Sequence, residues 1–95
     1  MERDELRLLL KSAGKQIEAW RLERGITQRQ LSQRLGYPST RYTFISMVEH
    51  GIRIPPDEWK DWAEALEQDS DQFIVWCMKH YEPDIFKAVG SSASN

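Results

Sequence analysis

The sequence predicts an all-α protein, a compact bundle of five to six short helices. Three observations carry that prediction. Apolar residues recur at three- and four-residue spacings and nowhere alternate as a strand requires. Turn and capping residues punctuate the chain at intervals suited to helices. The 95 residues, 40% hydrophobic and 11% aromatic, suffice for one core and little more.

The first helix is expected over residues 2–24, with a break near Gly14 as an open alternative. Ile17, Trp20, Arg21 and Arg24 share one face of it, and Gly25 is placed as its stop. Thr27 and Gln30 form a T-x-x-Q capping box that opens a second helix with Leu31 and Leu35 inward, ended by Gly36. Pro38 disfavours helix at Tyr37 and begins a turn reaching Arg41. A third helix follows from about Tyr42 to His50, stopped by Gly51. After Pro55-Pro56, a fourth runs to about Glu67 with Trp59, Trp62, Ala63 and Leu66 on its apolar face. Asp69 or Ser70 caps a fifth to about Tyr81, and Glu82-Pro83 starts a short sixth. Gly90 to Asn95, small and polar, is expected to be a disordered tail.

Net charge is −2, but it is unevenly spread. Residues 1–54 hold ten Lys and Arg against six acids, and residues 55–95 hold three Lys against nine acids. One basic face and an acidic remainder suit a nucleic-acid partner better than the total does. No apolar run approaches the ~20 residues that span a bilayer, so no membrane role is expected. The single cysteine, Cys77, and the mixed-charge start M-E-R-D-E-L-R point to a cytoplasmic setting. The sequence has no phosphate-binding glycine loop and no nucleophile motif. Cys77 and His80 supply only two possible ligands, so no catalytic group, metal or cofactor is expected.

The segment G-I-T-Q-R-Q-L-S-Q-R-L-G (25–36), followed by F-I-S-M-V-E-H-G (44–51), resembles the Cro/CI-type helix-turn-helix of the XRE family of bacterial and phage regulators. I-E-A-W-R-L-E-R-G (17–25) resembles that family's first helix and P-P-D-E-W-K-D-W-A-E-A-L (55–66) its fourth. The resemblance implies a lambda-repressor-like DNA-binding domain over residues 1–67, with a core at 14–66. A major-groove helix needs a second helix to brace it, and Ser32 supplies the small residue at their crossing. Ile17, Trp20, Leu31, Leu35, Ile45 and Val48 are expected as framework.

The resemblance also assigns roles. Tyr42, Thr43, Phe44, Ser46 and Met47 fall at base-reading positions, with core filling as the alternative for Phe44 and Met47. Gln28, Arg29, Arg41, His50 and Arg53 are expected at the DNA backbone. Arg21 and Glu49 are expected to form a structural ion pair between the first and third helices. Between Gly36 and Ile45 the chain is about three residues longer than the family pattern, so Ser39, Thr40 and Thr43 compete as helix cap and the reading register stays open.

Residues 68–89 form a helical extension. Phe73, Trp76, Tyr81, Ile85 and Phe86 there are expected to serve dimerisation, with completion of the monomer core as the alternative. The functional expectation is a homodimeric, sequence-specific repressor of a palindromic double-stranded DNA operator. The alternative is an antitoxin-like or accessory module that grips a protein partner with the same fold.

Overall fold

Capping chemistry divides the chain where the sequence says it should. A computed structural model describes residues 2–93, in the order α1 (Arg3–Glu23), α2 (Gln28–Arg34), α3 (Thr43–Glu49), α4 (Trp59–Ala65), α5 (Ser70–Tyr81) and α6 (Pro83–Ala93). Single 3-10 turns, Ser39–Arg41 and Pro56–Glu58, precede α3 and α4. Gly25 adopts a φ of +70°, the left-handed conformation that ends α1. At α2 the expected box is complete: the Thr27 hydroxyl accepts from the Gln30 amide at 3.0 Å, and the Gln30 side chain accepts from the Thr27 amide at 2.8 Å. Asp69 caps α5 by accepting from the Gln72 amide at 2.9 Å.

α1 is not broken at Gly14. It runs through as one helix of 21 residues, and Gly14 has a different task. A Cβ there would stand 2.3 Å from the Glu49 carbonyl oxygen and 2.9 Å from that of Val48. The missing side chain lets α1 cross α3 backbone against backbone.

The core lies between these crossings. Ile17, Leu31, Ile45, Val48, Ile54, Trp62 and Leu66 are fully buried, and Ser32 is buried where α2 meets its neighbours. Trp20 and Leu35 pack on this core from its edge. The Trp59 indole donates to the Ile54 carbonyl at 2.8 Å, which satisfies its one polar atom inside the core.

Two expectations for the C-terminal third need correction. Phe73 and Tyr81 are buried in the monomer, and Trp76 packs among Trp20, Phe73 and Tyr81 with ring centroids 4.9–5.8 Å apart. α5 packs on α4 and α1, so the division at residue 67 does not separate two cores. A chain this short needs those rings to complete its interior. Among the described residues, the large apolar side chains exposed in this region are Val75 and Ile85, while Phe86 is half-buried. The last helix also continues past Gly90 to Ala93. Ser94 and Asn95, the end of the tail expected to be disordered, lie outside the described residues.

Candidate nucleic-acid interface

α3 has one buried face and one open face. Ile45, Val48 and Glu49 turn inward. Thr43, Ser46, Met47 and His50, at i, i+3, i+4 and i+7, make the opposite stripe. Met47 is 49% exposed, and Tyr42, just before the helix, is 40% exposed. No side chain caps α3. Neither Ser39, Thr40 nor Thr43 takes that role, and Thr43 enters as the first helical residue with no side-chain cap bond to make. The neighbouring 3-10 turn, closed by the Arg41 amide on the Pro38 carbonyl at 2.9 Å, leads the chain into the helix instead.

The inward face is fixed by a buried ion pair. Arg21 donates from Nε to Glu49 Oε2 at 2.6 Å and from Nη2 to Oε1 at 3.1 Å, and its Nη1 reaches the Ile26 carbonyl at 2.9 Å. The hydrogen bond from Arg21 to Glu49 holds the guanidinium pKa above its ordinary value, outweighing the opposite effect of burial. The Gln28 side-chain amide also donates to Glu49 Oε1, at 3.1 Å. One carboxylate therefore ties α1, α2 and α3 together. Gln28, expected at a DNA phosphate, has its donor group turned to Glu49 and serves this frame.

Two further expected contacts are redirected. Arg41 is held over the Tyr37 ring at 4.1 Å and the Phe44 ring at 4.7 Å, and donates to Glu58 Oε2 at 3.0 Å. Tyr37 donates its hydroxyl to Glu58 Oε1 and accepts from the Trp62 indole at 2.9 Å. Burial, reinforced by the bond to Glu58, pushes the Tyr37 hydroxyl pKa up. The long 38–42 turn is thus fastened to the start of α4, and both Arg41 and Phe44 are parts of the fastening. Phe44 is half-buried against the core, so it follows the core-filling alternative. Arg53 donates from Nε to the Tyr81 carbonyl at 3.2 Å, which draws part of its guanidinium toward α5.

Arg29 remains available. Its guanidinium lies 5.0 Å from the centre of the Tyr42 ring, bridging α2 to the edge of the open face of α3. His50 Nδ1 is 2.7 Å from the Ser46 carbonyl oxygen, which leaves Nε2 as its outward atom. The basic half of the chain is less uniformly basic than its sequence: Arg21, Arg24, Arg34 and Arg41 all face carboxylates. Among the described residues of that half, Arg3, Arg7, Lys11, Lys15, Arg29 and Arg53 have no ion-pair partner.

Cys77 is buried, and desolvation pushes its thiol pKa up, keeping it an inert apolar side chain. No described helix is long and apolar enough to cross a membrane.

A model of the helix-turn-helix family matches residues 17–73. The chain belongs to the Cro/CI-type helix-turn-helix family. This match covers α2, α3, the long turn between them and α4, and it makes the chain a DNA-binding transcription regulator in general terms. Comparison with curated proteins and with solved structures gave no match.

Proposed function

We propose that the protein is a homodimeric repressor that binds a palindromic operator in the cytoplasm, with α3 of each subunit in the major groove. The open stripe of α3 carries this reading. Thr43 and Ser46 offer hydroxyls to base edges, and Met47 offers an apolar surface to thymine methyls. Tyr42 and Arg29 flank the stripe where the sugar-phosphate backbone would pass.

Thr43→Ala and Ser46→Ala should each change sequence preference by about 1–3 kcal/mol at the contacted base pair, whereas Arg29→Ala should weaken all sequences alike. Competition gel shifts on the DNA upstream of the chain's own coding region measure both. Equal losses on all sequences from the Thr43 and Ser46 changes would contradict base reading.

Val75 and Ile85, 51% and 54% exposed on α5 and α6, support self-association. The double variant Val75→Asp/Ile85→Asp should sediment as a monomer while keeping its fold, because neither side chain lies in the core. A wild-type chain that is already monomeric would instead favour a protein partner for this surface.

A further inference from the structure

We infer that the N-terminal half of α1 is a second DNA-contacting surface, a basic stripe that takes the phosphate backbone beyond the end of the reading helix. The inference rests on the DNA-binding reading and adds a surface outside the residues that the family model matches. That match begins at residue 17, whereas α1 begins at Arg3. The additional turns carry Arg3, Arg7, Lys11 and Lys15, one cation at every fourth residue. Steps of four residues turn about 40° each, so the four occupy one side of the helix over roughly 18 Å.

This side is placed by the α1–α3 crossing. With Gly14 against the Glu49 carbonyl, α1 projects past the C-terminal end of α3, and Leu10 comes within 3.7 Å of where a Cβ on Gly51 would stand. Lys11 and Lys15 border a shallow hollow with His50, and Arg3, Arg7 and Lys11 border the next one with His50 and Gly51. His50 closes the reading stripe, so cations continue directly from its end. On α1 itself, Asp4 and Glu18 share this side and stand toward its two ends, and Glu49, already paired with Arg21, also borders the first hollow. None of these acids pairs with the four cations among the described ion pairs. A duplex carries one negative charge per about 1.7 Å of axis, so each cation of a row spaced about 6 Å apart and continuous with a DNA-reading helix has a phosphate within reach. A merely solvated face would not need that continuity.

The test is the salt dependence of binding to mixed-sequence duplex DNA, followed by fluorescence anisotropy with the full chain. Lys11→Ala/Lys15→Ala should reduce the slope of log K against log salt by about 2, near 0.9 per lost phosphate contact, and Arg3→Gln/Arg7→Gln should reduce it further. A control, Lys60→Ala/Lys79→Ala, removes the same charge from exposed positions on α4 and α5 and should leave the slope nearly unchanged. All these residues are exposed, and unchanged circular dichroism melts would show that the fold is intact. Wild-type binding with an unchanged Lys11/Lys15 slope would overturn the inference while leaving the DNA-binding reading in place. An equal fall in the control would also overturn it, by reducing the effect to net charge. A wild-type chain that binds no duplex even at low salt would overturn the underlying reading and the inference with it.

Discussion

Glu49→Ala is expected to cost about 3–5 kcal/mol, because it leaves the buried Arg21 guanidinium without its partner. Total stabilities of small domains lie near 5–15 kcal/mol, so this one change should bring the chain close to unfolding. Three bonds are lost at once, two from Arg21 and one from Gln28. Removal of a solvated surface pair would cost no more than about 1 kcal/mol, so the two cases are well separated. Urea unfolding followed by far-ultraviolet circular dichroism measures the difference. The apolar double variant Arg21→Met/Glu49→Leu should recover much of the loss, since no charge is then stranded. DNA binding should fall in Glu49→Ala for every sequence alike, in step with the unfolded fraction. A loss below about 1 kcal/mol would contradict the account of this pair as the pin between α1 and α3.

Gly14→Ala carries the second large effect, and its sign is the opposite of what helix propensity suggests. In an exposed helix interior the change from Gly to Ala stabilises by about 1 kcal/mol. At Gly14 the added methyl would meet the Glu49 carbonyl oxygen at 2.3 Å and the carbonyl carbon at 2.7 Å. Both are backbone atoms, so no side-chain rotation relieves the clash. α1 and α3 must separate, loosening the packing of Ile17, Ile45 and Val48. The expected loss is about 3 kcal/mol or more, the upper end for an overpacked site. Ser12→Ala, two residues away and exposed, is the natural control and should be neutral or slightly stabilising. Thermal unfolding of the two variants side by side should therefore move in opposite directions. A Gly14→Ala protein that melts at or above the wild-type temperature would show that the helices do not touch here.

Much of this architecture could be read from local chemistry. The Thr27–Gln30 box, the Gly25 stop and the Asp69 cap each involve residues at most three apart, so the sequence displays them whole. Arg21 and Glu49 are 28 positions apart. Only the resemblance of the surrounding motif to a known family makes them partners in the sequence; their spacing says nothing. The side chains that the structure engages elsewhere share one physical feature: their partners lie on distant chain. Arg41 meets Glu58, Gln28 meets Glu49, and nothing within a few residues of either indicates it. A cation at i+4 from Tyr37 and three before Phe44 was the available sign of the aromatic bracket around Arg41. Phe73 and Tyr81 have a periodicity that would serve a dimer interface as well as a core, and only the packing of α5 on α1 and α4 separates the two. Nothing local marks out Lys11 and Lys15, because an isolated helix gives no sign of which neighbour its basic side adjoins.

The central claim is that α3 meets DNA with its open stripe, and amide chemical-shift mapping of the labelled chain during titration with duplex DNA tests it most directly. The account predicts that the largest changes fall at Thr43, Ser46, Met47 and His50, with smaller ones at Arg29, Lys11 and Lys15 and little at α5. Changes confined to the α5–α6 surface around Val75 and Ile85, with α3 unmoved, would contradict it.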